Sequence, residues 1–169
     1  RSDSPSVRAV LLSLSASMDQ APEQMADLAD RAVKEILNPR LPEAQRARLR
    51  YGLVRLGAPA ARAALRLMPE AETGDRVELA RLLDVLCTEA DVPDEVVQDA
   101  VRAILDLLKL ADIGSRRSVL RATVLADDRA GEELQSEVAA ELLNLMSELG
   151  LVDTYDAIQA TLERIGRPA

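Results

Sequence analysis

The chain has no histidine, no tryptophan and no phenylalanine, with one cysteine and two tyrosines among its 169 residues. Each shortage closes a class of reading. Without histidine, the commonest general base, the commonest metal ligand and the usual neutral-pH switch are missing together. One cysteine forbids an internal disulfide framework and leaves the compartment open. So few aromatics remove the stacking platforms on which RNA and single strands are usually read. No apolar run approaches the ~20 residues of a membrane span. The first residues, Arg1-Ser2-Asp3-Ser4-Pro5, lack a signal-peptide core, and a cytoplasmic location is the expectation. No Walker loop, dinucleotide fingerprint or zinc spacing occurs. Ser13, Ser15 and Ser17 lie close together without a Gly-x-Ser-x-Gly context. The formal net charge of −8 argues against a surface given over as a whole to nucleic acid or anionic lipid.

What remains is rich in helix formers. Hydrophobic residues make up 48% of the chain, and they are mostly Leu, Ala and Val. Strand-favouring aromatics and threonine are scarce, so the class is all-α. The length suffices for one domain with a sizeable core.

One stretch occurs twice: LVRLGAPA from Leu53 to Ala60, and LERIGRPA from Leu162 to Ala169. In both, an apolar helix runs into Gly, with Pro two residues later. Glycine tolerates the left-handed geometry that ends a helix, and proline suits the first turn of the next. Each copy therefore reads as the hinge of a helical hairpin, and a recurring hinge points to repeats. The segment LVRLGAPAARAAL, Leu53 to Leu65, resembles the inter-helix turn of HEAT-type repeats, as does LERIGRPA. The resemblance implies a right-handed α-solenoid of stacked antiparallel helix pairs, a fold used mostly for scaffolds and binding surfaces. The tetratricopeptide alternative needs Trp, Tyr and Phe at fixed places and is weak here.

Helical spacing of apolar residues, with Pro, Gly and Asp at the breaks, predicts about nine helices. They group as hairpins over 4–38, 42–68, 75–110 and 115–150, with a half-hairpin at 154–169, all within a single domain. First members start near residues 6, 42, 75, 115 and 154, steps of 36, 33, 40 and 39. The competing fold is a closed helical bundle. Both ends look cut, so the chain is expected to be a piece of a longer protein. The Pro168 end is expected to expose apolar surface through which copies could associate.

Charge is uneven. Between Arg40 and Met68 lie seven arginines against Glu43 alone, +6 in that segment and −14 elsewhere. Arg46, Arg48, Arg50, Arg55, Arg62 and Arg66 form the candidate docking patch, since guanidinium forks suit carboxylate and phosphate. The competing reading, which is favoured, is pairing with flanking acidic hairpins. It makes Arg62 and Arg66 the best candidates for partners in the run Glu70, Glu72, Asp75 and Glu78. Tyr51 could stack on a base, but its spacing to Ala47 and Val54 favours helix packing. Arg116, Arg117 and Arg121 are expected to be neutralised by Asp112, Asp127 and Asp128. Glu95 with Asp99, and Glu137 with Glu141, read as solvated faces, and Cys87 as a small core hydrophobe. No residue is assigned a catalytic, cofactor-binding or metal-binding role. The expected function is a non-catalytic interaction or scaffold module that binds another protein or another domain of its own chain. The alternative is a phosphate or nucleic-acid binder using the arginine-rich second hairpin.

Overall fold

The computed structural model describes residues 9–10, 22–147 and 154–166. Among these, regular structure is entirely helical. Eight α-helices follow in order: α1 (Pro22–Ile36), α2 (Glu43–Leu56), α3 (Ala58–Leu67), α4 (Thr73–Glu89), α5 (Asp94–Leu110), α6 (Ile113–Val119), α7 (Glu132–Met146) and α8 (Tyr155–Ile165). Short 3-10 turns lie at Met68–Glu70, Thr123–Ala126 and Asp128–Ala130. The expected helix from Ser4 lies outside the described residues apart from Ala9 and Val10, which are helical. The Pro168 end and its expected apolar surface also lie outside them.

Breaks fall where proline, glycine and capping chemistry put them. Proline opens α1 and sits at the cap of α2, while Gly57 is the whole connection between α2 and α3. Its N–H closes α2 on the Leu53 and Val54 carbonyls, both at 3.1 Å, and its own carbonyl accepts from Ala60 and Ala61. With φ 59° and ψ −123°, it occupies a region open to glycine and strained for other residues. Gly166 differs. It ends α8 at φ −82° and ψ −2°, an ordinary right-handed geometry. The two copies of the motif thus share a helix end without sharing its conformation.

The helices pack in chain order. Each lies against its successor or the next helix but one: α1 on α3, α3 on α5 and α5 on α7 form one row, α2 on α4 and α4 on α6 a second. The Thr123–Ala126 turn carries the second row on to α8. Alanines allow the closest approach. Ala60, Ala61, Ala63 and Ala64 of α3 are all fully buried, so neighbouring helices close on α3 from several sides, with Leu65 and Leu67 partly buried beside them. Leucines fill the wider spaces, and Leu79, Leu82, Leu83 and Leu86 of α4 are likewise buried.

Helical spacing through Val119, Leu120, Thr123 and Val124 predicts that the short helix after Gly114 runs on to Val124, but α6 stops at Val119. Asp84 of α4 explains the break: its Oδ1 accepts from the Val124 N–H at 2.8 Å and the Thr123 hydroxyl at 3.0 Å. These bonds replace helical ones and pull the chain into a 3-10 turn.

Three helices share one side-chain arrangement. Arg46, Arg76 and Arg116 each stand four residues past the helix cap, at the same place in α2, α4 and α6. Each donates back to carbonyls at or just past the end of the preceding helical segment. Arg46 reaches Ile36 at 3.0 Å and Asn38 at 3.3 Å; Arg76 reaches Ala71 at 2.8 Å and Pro69 at 2.7 Å. Arg116 reaches Leu108 at 2.8 Å and Lys109 at 3.3 Å. Helix ends leave such carbonyls without intrahelical partners, and a five-donor guanidinium can satisfy two at once. In α8 the first residue, Tyr155, makes a comparable tie, its hydroxyl donating to Met146 at the end of α7. Counting from these four residues, the third onward (Leu49, Leu79, Val119, Ile158) and the sixth onward (Gly52, Leu82, Ala122, Thr161) are all buried. The fifth onward (Tyr51, Arg81, Arg121, Ala160) are all exposed.

Candidate functional site

The six arginines of the expected patch do not converge. Arg46, with 17% of its side chain exposed, is a helix-end anchor. Its Nε stands 3.6 Å from Glu43, too far to donate a hydrogen bond. Arg50 bridges α2 to α4, donating to Glu43 at 3.1 Å and Glu78 at 2.5 Å. Burial opposes its charge, but the bonds to Glu78 and the charges of Glu78 and Glu43 outweigh that and raise its pKa. Arg62 and Arg66 belong to α3, in the other row. Arg62 pairs with Glu95 of α5 at 3.3 Å and Arg66 with Asp30 of α1 at 2.5 Å. The expectation that this pair would use the acidic run after residue 70 is corrected. Helix α3 is flanked by α1 and α5, so its arginines meet their carboxylates, while Glu78 serves Arg50. Arg48 and Arg55 are exposed on α2 and make no ion pair among the described residues.

Tyr51 is also corrected. It lies between Arg48 and Arg55 on the outer edge of α2 and is 70% exposed, so it packs little. The Ala47 side of the helix faces outward, and the inward stripe runs instead through Leu49, Gly52, Leu53 and Leu56. Arg116 is an anchor on carbonyls and not a partner of Asp127, whose carboxylate is held by Arg129. Cys87 is buried as expected. Burial pushes its thiol up to about 12, leaving no thiolate at neutral pH. Asp99 pairs with Arg102 at 3.2 Å on an exposed face. Among the described residues no three His, Cys, Asp or Glu side chains gather as metal ligands. Among them, too, no helix is long and apolar enough to cross a membrane.

What the fold brings together is a line of grooves along the second row. The first, about 490 Å³, lies between α2 and α4 and is lined by Glu43, Arg46, Arg50, Glu78 and Arg81. The second, about 520 Å³, lies between α4 and the α6 segment and includes Arg81, Asp84, Arg117 and Arg121. The third, about 400 Å³, lies between the Thr123 turn and α8, with Arg121, Asp156 and Arg164. Helix α2 carries four arginines against one glutamate, whereas α7 in the other row carries four glutamates and no basic residue. An arginine-lined face in a chain of net charge −8 is the chemical feature of this surface. Sequence reasoning missed it because Arg81 and Arg121 lie outside the densest arginine run, and only the helix rows align them.

No family model, curated protein or solved structure matches the chain.

Proposed function

We propose that the chain is a non-catalytic interaction module: a HEAT-like, right-handed α-solenoid whose second row of helices forms the face that binds another protein. Supporting the solenoid reading is the three-fold recurrence of one side-chain position, Arg46, Arg76 and Arg116, each tied to the end of the helical segment before it, with a comparable tie from Tyr155 at the start of α8. Helices that touch only near neighbours in sequence are the basis of solenoids, which offer long ridged surfaces rather than enclosed pockets. The observation that carries the functional reading is the line of open grooves with arginine rims along α2, α4, α6 and α8. The phosphate-binding alternative loses weight because Arg50, Arg62 and Arg66 are already paired to carboxylates and Arg46 is committed to backbone. The test is site-specific photo-crosslinking in the cells that make the protein, with the reactive group at Tyr51, at Arg81 and, in the other row, at Arg102. A discrete protease-sensitive adduct from the first two positions supports the reading. A nuclease-sensitive adduct, or none from any position, overturns it.

A further inference from the structure

We infer that Arg81 and Arg121 are the central rungs of a docking ladder for an extended acidic peptide of a partner protein. The inference rests on the interaction-module reading and names the chemistry of its partner.

The first observation is positional. Tyr51 and Arg81 stand on equivalent helical backbone, five residues beyond the anchors Arg46 and Arg76, and Arg121 stands five beyond Arg116 in the turn just past the end of α6; all three are exposed. Equivalent positions on stacked helices set Tyr51 and Arg81 in line along the second row, and the shared second groove sets Arg121 beside Arg81. The second observation is topographic. Arg81 lines both the first and second grooves, and Arg121 both the second and third. They stand on the ridges between grooves, where a chain crossing the helices must pass.

The third observation concerns charge. The carboxylate nearest Arg81 is that of Glu78 at 3.7 Å, already engaged by Arg50 at 2.5 Å. Arg121 makes no ion pair among the described residues. Asp84, the acid beside them, is occupied by the Val124 N–H and the Thr123 hydroxyl. Two exposed guanidiniums thus keep donors available for a carboxylate. The opposite row, with the all-acidic α7, repels the same ligand, so an acidic segment is directed to one face.

Spacing fixes the ligand's form. Packed helices lie about 8–10 Å apart, which sets the rung-to-rung distance. A polyproline-type chain rises about 3.1 Å per residue with three residues per turn, so acidic side chains three apart project on one side about 9 Å apart. Tyr51 supplies an exposed aromatic one rung further on, and Tyr and Arg are the residues that most often dominate binding energy at interfaces.

The experiment is fluorescence anisotropy with two labelled peptides of equal composition. One repeats Glu-Pro-Pro three times, and the other places its three glutamates consecutively among the prolines. The ladder predicts that the spaced peptide binds more tightly by about tenfold, and that Arg81→Gln with Arg121→Gln weakens it by a similar factor. Arg121→Glu alone, on an exposed side chain, is expected to do the same. Arg102→Gln with Lys109→Gln, exposed on α5 in the other row, leaves binding unchanged. Thermal melts establish that each variant is folded. Equal binding of the two peptides, indifference to the Arg81 and Arg121 changes, or no binding of the spaced peptide overturns the ladder. So does an oligothymidylate that binds more tightly than the peptide and is lost with the same substitutions. If the peptide fails while crosslinking at Tyr51 still captures a protein, the ladder falls and the interaction reading stands. If both fail, both fall.

Discussion

Gly57→Ala separates what the α2–α3 hinge requires from what it merely contains. At φ 59° and ψ −123° the backbone is a near mirror image of polyproline-type geometry, costly for any L side chain. An added Cβ would lie 3.4 Å from the Asp91 carbonyl oxygen and 3.9 Å from the Ala90 Cβ, ordinary contact distances. The penalty is therefore torsional and not a collision with the α4–α5 turn. Such residues cost about 1–3 kcal/mol, and the stiffer unfolded chain of alanine offsets about 0.4–1 kcal/mol of that. The net loss is about 1–2 kcal/mol, a fall in Tm of about 2–8 °C for a chain of this length. Gly166→Ala is the internal control. Its helical φ of −82° accepts alanine, and the same unfolded-state term predicts unchanged or slightly higher stability. Far-UV circular dichroism melts and urea titrations of the two variants read the difference. A Gly57→Ala protein indistinguishable from wild type, or equal responses at both glycines, refutes the argument.

Asp127 accepts from the Arg129 N–H and Nε at 3.0 Å and from Nη2 at 2.7 Å. Burial pushes its pKa up, but these bonds and the Arg129 charge outweigh it and hold the carboxyl below the usual range. A depressed folded pKa stabilises above the unfolded value of ~3.9 and is lost as pH falls through the folded value. Asp127→Asn should therefore be less stable than wild type at neutral pH, with the gap closing in acid; a gap that persists undiminished contradicts the pairing. Cys87, buried with its thiol pushed up to about 12, should resist iodoacetamide until the protein unfolds. Rapid stoichiometric labelling of the native chain would contradict its placement. Replacing Arg62 and Arg66 together by Gln removes pairs whose arginines are 51% and 55% exposed. Urea titration should show a loss of only about 0–1 kcal/mol per pair, and a loss above ~3 kcal/mol would mean that these pairs hold the rows together.

Much of the architecture was legible because the chain punctuates its helices with residues of narrow use. Pro42, Gly57 and Pro93 mark breaks that the structure keeps. The end of the short α6 at Val119 was not legible, because the carboxylate that holds the following turn comes from Asp84, some forty residues earlier. The anchors were hidden for a related reason. Arg46, Arg76, Arg116 and Tyr155 recur at steps of 30, 40 and 39 residues, too uneven for a period to show. The available signal was local: an arginine four residues past a cap at Pro42, Glu72 or Asp112, and three before a buried Leu or Val. Arginine density drew attention to residues 40–68, yet most of those guanidiniums serve structure. A ridge arginine such as Arg121 is recognised only once neighbouring helices are placed beside it.

The central claim is that the helices form a linear stack, each stabilised by near neighbours in sequence. Hydrogen exchange on Arg46→Met tests it most directly. The substitution removes a guanidinium bound to the Ile36 and Asn38 carbonyls, charge-assisted bonds worth about 1.5–3 kcal/mol. In a linear stack, protection should fall in α1, α2 and the helices beside them, while α7 and α8 exchange as in wild type. A loss of protection spread evenly to α7 and α8 would contradict the stack and mark a closed, globally cooperative bundle.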